Sequence, residues 1–190
     1  MEVYLIRHTA PAVEKGICYG SSDVLLADSF EEEYNRLKKH LPGTIPVVYS
    51  SPLTRCHRLA ARLASGTEIL LDDRLKELHF GNWEMKRWEE IPAEELNPWM
   101  QDFVNVSASG GENFQNLYER SGAFFDELIK SGHKQVVVVS HAGAIRAIIA
   151  RVLEIPLKNA FKIPVTYGSV TKLNLQADTC YCSIEYLSRE

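Results

Sequence analysis

Val136-Val137-Val138-Val139 is the stretch that most limits how this chain can fold. Four β-branched residues in a row favour an extended backbone, and successive side chains on a strand point to opposite faces. Both faces must therefore be covered, which is the situation of a central strand in a parallel sheet flanked by helices. The run ends in Ser140-His141-Ala142-Gly143 and passes straight into a segment that is apolar nearly all round, with Ala144, Ile145, Ala147, Ile148, Ile149 and Val152. Strand, polar corner and buried helix in immediate succession point to an α/β chain.

Other segments repeat this grammar. Val3-Tyr4-Leu5-Ile6 reads as a short buried strand that runs into Arg7-His8. Residues 9–28 carry Pro11, Gly16 and Gly20 and read as loop. Ser29 with Glu32 fits a capping box, and Phe30, Tyr34, Leu37 and Leu41 follow at helical spacing until Pro42-Gly43. Residues 46–50 form a second strand. Thr54 is placed to cap a helix through about Ala64, with Arg55 in its first turn and Gly66 at its close. A third strand spans 68–71. Phe114, Leu117, Tyr118, Phe124, Phe125, Leu128 and Ile129 mark one apolar face of a long helix that Gly132 stops. Alternating segments around Val170–Gln176 and 182–187 suggest an antiparallel pair at the side of the sheet. Residues 72–112 break the alternation. They hold all three tryptophans, Trp83, Trp88 and Trp99, and read as short helices and loops. No repeat or linker interrupts the chain, so residues 1–190 are expected to form one domain with a lid at about 83–112.

A length of 190 residues suffices for one sizeable core. The net charge of −4 argues against a protein built to grip nucleic acid or an anionic membrane. No apolar run approaches the ~20 residues of a membrane span, and strand-like sequence begins at residue 2, so a cytoplasmic location is expected. Cys18, Cys56, Cys180 and Cys182 do not form a disulfide framework in a chain this long. Cys180-Tyr181-Cys182 has no second Cys or His pair to complete a metal site, and no metal or cofactor is expected.

The strands converge in their chemistry. In a parallel sheet the carboxyl ends lie along one edge, where ligands bind. That edge gathers Arg7 and His8 from the first strand and Arg55 after the second. It also takes Glu77 after the third and His141 after the valine run. Two permanently charged, planar guanidiniums aimed at one point suit a tetrahedral oxyanion such as phosphate. One histidine can attack phosphorus, which divides a hard displacement into two easier ones; the other can donate to the oxygens where charge concentrates. Glu77 is placed to protonate a leaving alkoxide and then to deprotonate water. A metal-dependent hydrolase using His8, His141 and acids is disfavoured, because the two arginines would repel the ion.

Leu5-Ile6-Arg7-His8-Thr9, Ser50-Ser51-Pro52-Leu53-Thr54-Arg55, Glu77 ahead of Leu78-His79-Phe80-Gly81-Asn82-Trp83-Glu84, Gly110-Gly111-Glu112 and Ser140-His141-Ala142-Gly143 together resemble the histidine phosphatase superfamily, of phosphoglycerate mutase-like fold. The match covers about residues 2–150. The resemblance implies a three-layer α/β/α sandwich around a mostly parallel sheet, and metal-independent phosphoryl transfer. It makes His8 the nucleophile, Arg7, Arg55 and His141 the phosphoryl binders and Glu77 the proton donor, and Thr9, Tyr19, Gly20, Ser21 and Ala142 join the expected substrate-binding set. Gly16-Ile17-Cys18-Tyr19-Gly20 and Asp23 look most like the α-ribazole phosphatase branch, which removes phosphate from a benzimidazole riboside in cobalamin assembly. Three departures stand out, one being Met85 where glycine commonly follows the Trp-Glu pair. Thr9 replaces the family's glycine, and Glu14 lies near the place of an expected asparagine. The expected partner is thus a small phosphate ester, with a homodimer left open. The alternatives are a phosphoglycerate mutase, a broad-specificity phosphatase, and a non-catalytic phospho-ligand binding module. An aromatic of the lid is a candidate to stack on a flat base, against the plainer role of packing the lid down.

Overall fold

The computed structural model describes residues 1–176 and 181–190. One six-stranded sheet organises them. Its strands in chain order are β1 (Glu2–Arg7), β2 (Val48–Ser50), β3 (Ile69–Leu71), β4 (Gln135–Ser140), β5 (Val170–Gln176) and β6 (Tyr181–Arg189). They lie side by side in the order β3-β2-β4-β1-β5-β6. The first four are mutually parallel, while β5 runs antiparallel to β1 and β6 antiparallel to β5. The expected mostly parallel sheet and its antiparallel side pair are both present. Cys180 lies outside the described residues; Cys18, Cys56 and Cys182 are free thiols.

Alternation along the central strands divides the core. Val3, Leu5, Val136 and Val138 face Phe124, Phe125, Ile145, Ile148 and Ile149 of helices α4 (Phe114–Lys130) and α5 (Ala142–Val152). Tyr4, Ile6, Val137 and Val139 face Tyr34, Leu37, Leu59 and Leu63 of α1 (Phe30–Leu37) and α2 (Thr54–Ala64). All four valines of the run are wholly buried. Each such side chain contributes about 1.5–3 kcal/mol by leaving water, which is why the run can only be central. Helices on both faces make the three layers.

Two helix starts differ from expectation. Ser29 has helical backbone angles and makes no cap bond; its hydroxyl donates to Glu33 Oε1 at 2.6 Å instead. Glu33 Oε2 then accepts the Ala10 N–H, tying α1 to the loop after β1. Thr54 does not cap α2 but begins it. The cap is supplied from far away in sequence, by Asp23, which accepts the Thr54 N–H at 2.8 Å and its hydroxyl at 2.6 Å. A carboxylate there also suits the positive end of the helix.

The segment after β3 consists of short 3₁₀ turns and α3 (Ala93–Gln101). Its tryptophans serve packing. Trp83 and Trp99 are 1% and 7% exposed, and with half-buried Trp88 they meet one another and Phe80 edge-on or tilted. Together with Phe114, Leu117, Ala144 and Ala147 they form a third cluster that seats this segment on α4 and α5. Trp83 and Trp99 therefore have no face left to offer a substrate, which corrects the stacking idea for both. Among the described residues no helix is long and apolar enough to cross a membrane.

Candidate active site

Parallel register places the two histidines side by side. Arg7 pairs with Ser140 across β1 and β4, and the His8 N–H donates to the Ser140 carbonyl, so each strand releases its histidine at the same level. Their ring centroids are 5.1 Å apart. Both rings are buried. His8 Nδ1 lies 2.7 Å from the Thr9 carbonyl, which can only accept; Nδ1 therefore carries the proton and Nε2 the lone pair. The Arg55 Nε–H points at that lone pair from 3.2 Å. His141 Nε2 is 2.8 Å from Ser51 Oγ, with the Cys56 thiol beside it.

Arg55 is wholly buried. Its other nitrogens donate to the carbonyls of Ser22 at 2.8 Å and Gly20 at 2.5 Å. Arg7 donates through Nη1 to the Val165 carbonyl and lies 3.7 Å above the Tyr167 ring. Neither guanidinium has a carboxylate in ion-pair range among the described residues. Arg7 Nε and Thr9 Oγ1 are buried without a hydrogen-bond partner. Buried charge and orphaned donors are costly unless something compensates them. An oxyanion has the charge and the acceptors to do so.

Burial, helped by this concentration of positive charge, keeps the rings neutral. Burial first, then Arg55 and Arg7, hold the His8 pKa well below the usual histidine value, against a small opposing effect of the Thr9 carbonyl. Burial, Arg55, His8 and Arg120 do the same to His141. Between the depressed folded values and about 6.5 the unfolded chain binds protons that the folded chain refuses. The stability these rings contribute is thus present above about pH 6.5 and lost as pH falls below it. Thermal midpoints should fall from about pH 7.5 to about pH 5, and His8→Asn should flatten that slope. An unchanged slope would show that His8 takes up protons freely in the folded state.

Glu77 approaches from the segment after β3. Its Oε1 accepts the Leu78 N–H at 2.9 Å and its Oε2 the Gly143 N–H at 3.0 Å, at the first turn of α5. Gly143 leaves room for this carboxyl, which any larger residue would push aside. A Cβ there would lie 2.2 Å from Glu77 Oε1. Gly20 is required by backbone contact, since its Cβ would meet the Leu78 carbonyl at 1.9 Å.

The remaining expected residues are distributed unevenly. Ala142 opens α5 next to His141, where first-turn amides lack intrahelical acceptors. The Tyr19 hydroxyl bonds that of Tyr167, and the Arg55 guanidinium is 5.5 Å from the Tyr19 ring centre. The amides of Gly20, Ser21 and Ser22 and both serine hydroxyls all bond Glu84. Gly20 and Ser21 thus hold Arg55 through their loop and have their donors occupied. Burial alone would raise the Glu84 pKa, but the Ser22 hydroxyl and the amides of Gly20, Phe80 and Ser21 bring it below the usual carboxylate value. Glu14 takes no part in the site: it is exposed and pairs with Arg87 at 2.5 Å.

Sequence patterning gave no role to Ser51 or Glu84, although both stand in its motifs, and did not single out Tyr167. Tyr167 had a topological signal. It precedes a strand antiparallel to β1, so β5 begins at the edge where β1 ends, and the Gly168 N–H bonds the His8 carbonyl there.

The sequence model of the histidine phosphatase superfamily (branch 1) matches residues 3–185. The chain belongs to this superfamily. It is 29% identical to phosphoserine phosphatase 1 of Hydrogenobacter thermophilus, across 93% of this chain and 87% of that protein. It is 27% identical to the adenosylcobalamin/alpha-ribazole phosphatase of Escherichia coli (strain K12), across 92% and 90%. The crystal structure of the alpha-ribazole phosphatase from Shigella flexneri superposes with a TM-score of 0.91 at 24% identity, covering 99% of this chain and 96% of that one, which bears out the fold. This histidine phosphatase is therefore a phosphatase on an α/β/α scaffold.

Proposed function

We propose that this histidine phosphatase hydrolyses small phosphate monoesters through a phosphohistidine formed on His8. The observation that carries the proposal is a pair of guanidiniums without carboxylate partners among the described residues, Arg55 wholly buried and Arg7 half-buried, beside a neutral histidine whose Nδ1 is tied down. In the first step His8 Nε2 attacks phosphorus in line with the ester oxygen, and the P–O bond breaks as the N–P bond forms. The Arg55 N–H that now points at Nε2 is taken over by a phosphoryl oxygen, with Arg7 and His141 on the others. Glu77 gives its proton to the leaving alkoxide. In the second step Glu77 takes a proton from water, which attacks phosphorus and restores His8.

For the ester we propose α-ribazole 5′-phosphate, supported by the motif spanning Arg7–Asp23 and by the name of the Escherichia coli relative. One observation favours a second reading, a small charged ester such as phosphoserine. The cleft beside Glu77, about 440 Å3, is lined by Asp73, Lys76, His79, Glu112 and Arg120, groups of both signs that suit a polar leaving group better than a flat aromatic one.

Phosphate release in the presence of chelator, across α-ribazole 5′-phosphate, phosphoserine, phosphoglycerates, nucleotides and sugar phosphates, separates the readings. α-Ribazole 5′-phosphate should lead by about 10²-fold or more in kcat/KM, worth ~2.7 kcal/mol of transition-state discrimination. A lead of that size for phosphoserine selects the second reading. Interconversion of phosphoglycerates without phosphate release would mean a mutase, and tight phosphate binding without turnover a binding module. Chelator should leave the rate unchanged, because two unpaired guanidiniums repel a metal ion from His8; abolition of the rate would overturn that.

A further inference from the structure

We propose that Arg120 and Glu112 form a positioning pair that sets where the Glu77 carboxyl stands relative to the leaving group. The inference rests on Glu77 being the proton donor. Arg120 projects from α4 and is 21% exposed at its side chain. Its Nε donates to Glu112 Oε1 at 2.8 Å and its Nη2 to Glu112 Oε2 at 2.8 Å, a two-point fork. The rest of the guanidinium faces the backbone before Glu77. Nη1 donates to the carbonyls of Arg74 at 2.9 Å and Lys76 at 2.7 Å, and Nη2 to that of Glu77 itself at 2.9 Å. A guanidinium has five N–H groups, and here every one is used.

Glu112 completes the clamp on the other side of Glu77. Its Oε2 also accepts the His79 N–H at 3.0 Å, and its own N–H donates to the His79 carbonyl at 2.8 Å. The stretch from Arg74 to His79 is thus gripped on both sides of the acid. This matters because that stretch is outside every strand, and no sheet ladder fixes it. On the site side, among the described residues, the carboxyl accepts from the amides of Leu78 and Gly143.

The scaffold is consistent with a standing ion pair. Burial would raise the Glu112 pKa, but the Arg120 hydrogen bond and charge bring it below the usual carboxylate value. Catalytic groups must be held within about 0.5 Å of the productive geometry, and ~1 Å of misplacement costs on the order of 10²-fold. A lysine cannot replace the fork, having three donors on one flexible stem.

The test compares Arg120→Lys, Arg120→Met and Glu112→Gln with wild type and with Glu77→Gln. The readout is kcat/KM for an alkyl phosphate, glycerol 1-phosphate, against p-nitrophenyl phosphate, whose leaving group needs little protonation. Thermal unfolding is followed alongside. Arg120→Lys and Arg120→Met should each lose about 10²-fold on the alkyl ester while p-nitrophenyl phosphate stays within about threefold; Glu112→Gln should lose about tenfold with the same selectivity. Equal losses on both esters, or none, in variants that remain folded overturn the positioning role. Full activity in Arg120→Lys overturns it as well, since charge alone would then suffice. If Arg120→Met does not fold, Glu112→Gln decides by the same ratio. Should Glu77→Gln itself lose both esters equally, the acid assignment falls, and that failure is separate from the clamp's.

Discussion

Replacing His8 by alanine is expected to lower turnover by about 10⁴-fold or more, since deleting a nucleophile that acts as part of a unit has cost as much as ~10⁶ elsewhere. The size follows from the two-step scheme. Without Nε2 there is no phosphohistidine, and water would have to displace the alkoxide directly, in a site built around an imidazole. The loss should be chemical and not structural. The ring bonds the Thr9 carbonyl, contacts Arg55 and touches the His141 and Tyr167 rings, while β1 is held independently by its ladders to β4 and β5. Arg7, Arg55 and His141 remain, so the variant should still bind inorganic phosphate. Phosphate release over long incubation, together with ³²P transfer to the protein quenched in alkali, checks both halves. More than a few per cent of wild-type turnover, or undiminished label on the variant, would rule His8 out as nucleophile.

Much of this geometry was legible because parallel strands advertise themselves. A strand buried on both faces is an unbroken apolar run, and its end is marked by the first polar residues: Arg7-His8 after Ile6, Ser140-His141 after Val139. Once such runs are parallel their ends share one edge, and the site residues follow. What holds those residues was less legible, because it depends on pairings across long separations. Nothing near Thr54 announces that Asp23 caps its helix, and nothing near Arg55 announces that the Gly20 and Ser22 carbonyls fix its fork. Glu84 is one acid among many until the 20–22 loop folds over it. The lid misled for another reason. Three tryptophans in an irregular segment carry no periodicity to show which way they face, and two of them turn inward. The aromatics that reach the site are Tyr19 and Tyr167, the latter from the turn before a strand whose alternation reveals a hairpin but not the neighbour it pairs with.

Glu77→Gln should separate esters by leaving group. For an alkyl phosphate, kcat/KM is expected to fall by ~10²–10⁴-fold, the usual worth of a positioned general acid. For p-nitrophenyl phosphate, whose phenolate leaves readily as an anion, the fall should stay within about tenfold. Glutamine matches the shape of glutamate but offers one acceptor where the site requires two. Leu78 and Gly143 both aim N–H groups at the carboxyl, so one would face the amide NH₂, at a cost of about 0.5–1.5 kcal/mol. That penalty acts on both substrates alike and explains the modest common loss; only the missing transferable proton acts on one. The carboxyl packs where a Gly143 Cβ would stand, so glutamine starts from the same close seat against the first turn of α5. The comparison uses kcat/KM because that ratio reports the steps up to phosphoryl transfer, before water enters. A matching fall on both esters would remove Glu77 from the leaving-group side. If kcat alone fell, with kcat/KM preserved, Glu77 would serve only as the base for water in the second step.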